Sequence, residues 1–215
     1  MRYFIYLSGC LLLLSSCQPQ SDQSHQSKSI PSAPEADLQQ TPGTDTVRFE
    51  AAFAQFLVAL QARDTAAVNT FIDPQAGFWL IEQPGAVPAY THYASVEQVK
   101  RHYQQLPFWS VAAQLDSCRL QQRDSFPAFD CALMDNGGSG YAEDGCFYTN
   151  GSAFQGNDMW KYASLGPQQE AQVQALQQRV QRSVLHTRSS FRFHFGYDGN
   201  RWRLLFADLR VPCSA

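Results

Sequence analysis

Phe49, Phe53, Phe56, Leu57 and Leu60 follow one another at i, i+4, i+7, i+8 and i+11, the spacing of a single helix face. Asp45 or Thr46 is placed to cap that helix. Asp64 should cap a second, shorter one carrying Val68, Phe71 and Ile72 inward. Asp73-Pro74 should end it, because a residue before proline is pushed out of the helical region. Phe78 to Ile81 reads as a short buried strand and Pro84-Gly85 as the turn after it. Ser95 with Gln98 three residues later forms a capping-box pattern ahead of Val96, Val99, Tyr103 and Leu106. Strand-like stretches follow over Val111 to Leu120 and Phe129 to Met134, then a loop from Asp135 to Gly145 with four glycines. Pro167 suits the first turn of a glutamine-rich helix with Val173, Leu176, Val180 and Val184 along one face.

The clearest element is a terminal hairpin. Phe191, Phe193, Phe195 and Tyr197 alternate, Asp198-Gly199 is a two-residue turn signal, and Trp202, Leu204 and Phe206 alternate back. A two-residue loop sets Tyr197 opposite Asn200, and so Phe195 opposite Trp202, Phe193 opposite Leu204 and Phe191 opposite Phe206. Strict alternation then puts Asp208 on the Trp202 face, where a carboxylate among apolar groups would mark a pocket.

The N-terminus has a different pattern. Met1-Arg2 precedes an apolar run from Tyr3 to Leu14, too short to span a bilayer, and small residues follow. This is the order of a secretory signal peptide, here residues 1–16. From Gln18 to Asp45 the chain has no aromatic residue and is dominated by Gln, Ser, Pro, Thr and Asp. Such a segment cannot bury enough apolar surface to order itself. Residues 17–45 therefore read as a tether, with a reach of about 30 Å for a flexible chain. Residues 46–215 read as one globular domain. A formal net charge of −3 argues against general nucleic-acid binding.

Leu14-Ser15-Ser16-Cys17 resembles the lipobox of bacterial lipoproteins. The resemblance implies lipid on Cys17, cleavage before it, and anchoring to a membrane of the cell envelope, the outer membrane being the expected one. Leu7-Ser8-Gly9-Cys10 fits by composition, but leaves only about four apolar residues before the cut. The Gly77 to Gly85 stretch and the Cys213-Ser214-Ala215 ending are similar to envelope proteins of Bacteroidetes-type bacteria, a resemblance that implies no activity. Asp45-Thr46-Val47 and Asp64-Thr65-Ala66 resemble the three-residue O-glycosylation signal of the same bacteria.

The order of elements gives an α+β class, with N-terminal helices packed on a curved antiparallel sheet that ends in the hairpin. That outline resembles the cone-shaped NTF2-like fold, in which a curved sheet wraps a helix and encloses a pocket. The long helix at Pro167 departs from the family.

Four cysteines belong to the domain: Cys118, Cys131, Cys146 and Cys213. Their spacing lacks the paired CxxC of a zinc site, and an exported domain with an even number reads as carrying two disulfides. A hairpin centred near Asp124-Ser125 would pair Cys118 with Cys131 and leave Cys146 for Cys213. Arg192, His194, Arg201 and Arg203 alternate onto the outer hairpin face, with Arg182, Arg188 and Arg210 near. They read as an anion site or as a solvated face that resists aggregation. Asp135, Asn136, Ser139, Glu143 and Asp144 offer oxygen ligands without the EF-hand spacing. Trp79, Trp109, Trp160 and Trp202 read as core or as a pocket lining. No catalytic motif, metal site or cofactor is expected. The functional expectation is an envelope lipoprotein whose domain binds a small ligand or an envelope protein. The alternatives are an NTF2-like enzyme with an acid–base pocket at Asp208, or a structural subunit of an envelope complex.

Overall fold

The computed structural model describes residues 42–115, 119–135 and 137–213. The expected signal peptide, Cys17, the tether up to residue 41, Cys118 and Asn136 lie outside the described residues.

Helix α1 (Pro42–Gln61) starts earlier than the caps suggested. Proline is tolerated at a first helical position because its missing N–H would go unpaired there anyway, so Asp45 and Thr46 lie inside the helix. Its five periodic apolar residues are all buried. Beyond Gln61, Arg63 takes a left-handed backbone (φ 54°) and the Asp64 amide donates back to the Ala59 carbonyl at 2.9 Å. This closes the helix end and places Asp64 to cap α2 (Thr65–Asn69), where its carboxylate accepts from the Ala67 amide at 3.0 Å.

The sheet contains β1 (Phe78–Glu82), β2 (Ala89–Tyr93), β3 (Leu120–Gln122), β4 (Cys146–Asn150), β5 (Arg182–His186), β6 (Phe191–Tyr197) and β7 (Trp202–Asp208), in the order β2-β1-β7-β6-β5-β4-β3. It is mixed rather than antiparallel. β1 runs parallel to β7, with Trp79 beside Phe206, and β3 runs parallel to β4. The helices are distributed along the chain rather than gathered at its N-terminus. α3 (Ser152–Gln155) and α4 (Pro167–Gln177) come late and give the sheet a second covered face. β1 shows the consequence: all five of its residues are buried. Phe78 and Leu80 join the aromatic cluster under α1, while Trp79 and Ile81 join Phe154, Val173 and Leu176 on the other side.

The Ser95 helix reduces to one 3-10 turn, Val96–Gln98, without a side-chain cap. Tertiary bonds take the chain instead: Glu82 accepts from the Arg101 side chain at 2.9 Å and the His102 amide at 2.8 Å. Gln104 and Gln105 then adopt positive φ, which no helix continues through. Of the two strand-like stretches, Val111 to Leu120 holds a 3-10 turn at Ala112–Gln114 and meets β3 only at Leu120, and Phe129 to Met134 holds a 3-10 turn at Cys131–Leu133. The Pro167 helix stops at Gln177. Val180 still packs against it, but Val184 belongs to β5 and to the α1-side core.

No hairpin forms around Asp124, because β3 lies parallel to β4. With it goes the expected pairing of Cys118 with Cys131 and of Cys146 with Cys213. Cys131 is bonded to Cys213, Cα to Cα 6.0 Å, and Cys146 is in a disulfide of its own. The bridge ties a surface turn to the chain end across 82 residues.

The terminal hairpin exists with another register. Residues 198–201 form a four-residue loop closed by the Asp198 amide on the Arg201 carbonyl, so Tyr197 faces Trp202 and Phe195 faces Leu204. The Asp198 carboxylate accepts from the Asn200 and Arg201 amides at 2.9 and 2.8 Å, which favours the wider loop over a two-residue turn. The register then shifts between His194 and Phe195, leaving Leu205 as an extra residue on β7. A bulge of this kind flips every later side chain to the opposite face. Trp202 and Leu204 point to the α1 side, whereas Leu205 and Phe206 point to the α4 side. Gly196 lies across the bulge, and a Cβ there would stand 2.5 Å from the Arg179 carbonyl oxygen.

Candidate functional site

Because of the bulge, Asp208 does not share the Trp202 face. It sits opposite Arg192 on the α4 side, next to His194, and is 1% exposed. The structure thus brings together Asp208, Arg192 and His194, which the sequence assigned to two different faces. It does not bring Arg203 with them. That side chain binds Asp198 at 2.7 Å and the Thr70 and Ile72 carbonyls at 2.8 and 3.2 Å, tying the hairpin loop to the exit of α2.

The cluster closes on itself. Arg210 holds both Asp208 oxygens, at 2.8 and 2.6 Å, and its remaining nitrogen reaches the Met159 sulfur. Arg192 donates to the Tyr141 hydroxyl at 2.9 Å. Burial pushes the Asp208 carboxyl up, but the hydrogen bonds and charge of Arg210, with Arg192 behind them, outweigh it and hold it below the ordinary range. Tyr90, buried beside this pair, is pushed up mainly by desolvation. His194 stacks on Phe154 with ring centroids 3.6 Å apart, and its Nδ1 meets the Ser183 hydroxyl at 2.8 Å. Burial, reinforced by Arg192 and Arg210 against the opposing charge of Asp208, lowers it to about 3. It is neutral at ordinary pH, and its Nε2 is buried without a partner. Gln177 seals the lid, donating from α4 to the Phe154, Gln155 and Asn157 carbonyls. The stretch of the outer hairpin face around His194 is therefore an interior, because Phe154 of α3 and the apolar residues of α4 pack over it.

The other candidates are also occupied. Ser139 donates to the Asp144 carboxylate, and Glu143 pairs with Arg123 at 2.9 Å. Among the described residues, no group of three or more His, Cys, Asp or Glu could hold a metal ion. Trp79 and Trp202 are core residues, and Trp109 and Trp160 pack partly buried against the two cores.

A concave surface with uncommitted charge lies on the opposite side, between α1 and the hairpin loop. It is a groove of about 540 Å³, within the range of small-molecule sites. Ala51 and Ala52 leave the room for it on α1, and Phe71, Tyr197 and Trp202 give it an apolar lining. Arg48 and Arg201 line it, both are exposed, and no acid does. The nearby Asp198 is already held by Arg203. The Trp202 ring lies 4.8 Å from Phe49 and 5.4 Å from Tyr197, yet its indole N–H is buried with no acceptor among the described residues. An unpaired buried donor costs about 1–3 kcal/mol, so it invites an explanation. Sequence reasoning missed this site: Arg201 was read as one member of the outer face, and Arg48 was not singled out. The available signals were an arginine one residue ahead of Phe49 on the first helix and another in the hairpin loop, two elements whose juxtaposition only the fold reveals.

Among the described residues no helix is long and apolar enough to cross a membrane. Compared with protein-family models, curated proteins and solved structures, the chain finds no match.

Proposed function

We propose that this chain is an exported lipoprotein, held to an envelope membrane by lipid on Cys17, whose NTF2-like domain is a binding module for a small ligand rather than an enzyme. The observation that carries the binding reading is the contrast in commitment between its two polar regions. The guanidiniums of the groove have no ion-pair partner among the described residues, while in the Asp208 cluster Arg210 is paired with Asp208 and Arg192 is hydrogen-bonded to Tyr141. The strand order β2-β1-β7-β6-β5-β4-β3, wrapped on a long first helix, supports the NTF2-like reading. The acid–base alternative draws no support from Asp208. A general base must reach a substrate proton, and this carboxylate is clamped by Arg210 beneath covering helices.

The anchor is tested by the intact mass of protein extracted from membranes in detergent. The expected product lacks residues 1–16 and carries acyl mass on Cys17; an unacylated product, or one cut elsewhere, overturns it. The binding reading is tested by thermal shift against organic acids, neutral sugars, amines and short peptides. A saturable shift with one of these classes is expected, and none with any class overturns it.

A further inference from the structure

We propose that the groove between α1 and the hairpin loop takes an amphiphilic organic acid, with a single carboxylate between Arg48 and Arg201 and an apolar body against Phe71, Tyr197 and Trp202. This deepens the binding reading above and rests on it. Two independent features of the groove converge on that ligand class. Its charge is positive: two exposed guanidiniums line it, neither with an ion-pair partner among the described residues, and the neighbouring Asp198 is held by Arg203. Guanidinium presents parallel donors that match the two oxygens of a carboxylate. The lining also carries three aromatic rings, Phe71, Tyr197 and Trp202, which suit a flat or hydrocarbon body. The volume, about 540 Å³, accommodates a body of one or two rings or a medium-length chain, and exceeds what a bare inorganic anion would fill.

The test uses calorimetric titration of the folded protein with 2-naphthoate, with 2-naphthylmethanol as the neutral body, and with acetate as the head alone. Naphthoate is expected to bind at least ten times more tightly than the alcohol, and acetate not measurably. The double variant Arg48→Gln, Arg201→Gln should bring naphthoate down to the affinity of the alcohol. Equal affinity for naphthoate and alcohol, or naphthoate binding indifferent to the arginine variant, overturns the proposal. If naphthoate fails while a sugar, amine or peptide shifts the melting temperature, this inference falls alone. If no class shifts it, the binding reading falls with it.

Discussion

The cluster beneath α4 and the groove beside α1 are built from the same kinds of residue, arginines next to aromatic rings, and they end in opposite states. In the cluster, Arg210 and Asp208 meet at 2.6 Å, Arg192 meets Tyr141, and apolar residues of α3 and α4 pack over the same side of the sheet. In the groove, the Arg48 and Arg201 guanidiniums have no ion-pair partner among the described residues, and both residues are exposed. Charge that is buried must be matched internally or the fold does not tolerate it. Charge left at a concave, accessible surface costs the fold little and remains available to a ligand. The cluster should therefore govern stability and the groove should govern binding, with little exchange between them.

The largest test of that division is Asp208→Ala, which strands Arg210 in a largely buried position. Removing one partner of a buried ion pair costs about 3–5 kcal/mol, so the variant should lose that much in a denaturant titration. A loss below about 1 kcal/mol would mean the cluster is wetter than its geometry shows.

Next is Gly196→Ala, which drives a Cβ toward the Arg179 backbone across the bulge. Overpacking of this kind costs about 1–3 kcal/mol. The same change at Gly199, which has nothing within 4 Å of its Cβ position but a φ of 91°, tests backbone strain alone. If the two cost the same, close packing at the bulge is not what Gly196 serves.

Acid sharpens the comparison further. The folded state holds His194 near 3 against about 6.5 in the unfolded chain, so the unfolded chain binds one more proton between those values. Stability from this group is full above about pH 6.5 and declines as pH falls toward 3, by about 1.4 kcal/mol per pH unit. Asp208, whose folded value is depressed, contributes above its unfolded value near 3.8 and loses that contribution only as pH falls through the folded value. The window from pH 6 to pH 4 therefore isolates the histidine. His194→Asn keeps a side-chain partner for Ser183 without titrating, and its stability should be about 1.4 kcal/mol per pH unit flatter there. An unchanged slope would place the proton uptake elsewhere.

The smallest effect belongs to the groove. Arg48→Gln and Arg201→Gln should each change stability by less than about 0.5 kcal/mol, as exposed unpaired residues do. A larger loss would show that these arginines are structural and would erase the contrast.

Much of the architecture was legible. The α1 face, the Asp64 cap, the buried strand at Phe78, Pro167 at a helix start and a terminal hairpin all appear where the pattern put them, since each depends on spacing within about a dozen residues. What failed depended on partners far along the chain. The Ser95 helix yielded to Glu82, and the cysteine pairing went wrong because β3 found β4 rather than a hairpin mate. The site was half legible. Asp208, Arg192 and His194 were the right residues, but their faces were not, because one extra residue at Leu205 inverts the strand.

The local order of apolar and polar positions, with its turn and cap residues, determined which segments become helix and strand and which side chains seek the interior. The signal-like leader and the lipobox-like Cys17 are equally properties of sequence alone. Only the tertiary structure decided that α4 would cover the arginine-bearing face and turn a solvated surface into a sealed ion-pair cluster. It also decided that Arg48 and Arg201, 153 positions apart, would line one groove. Periodicity records which face of an element is apolar; it carries no information on what will be laid over the other face. Two non-local events, a bulge and a late-arriving helix, set the dielectric environment in which each charge must be satisfied.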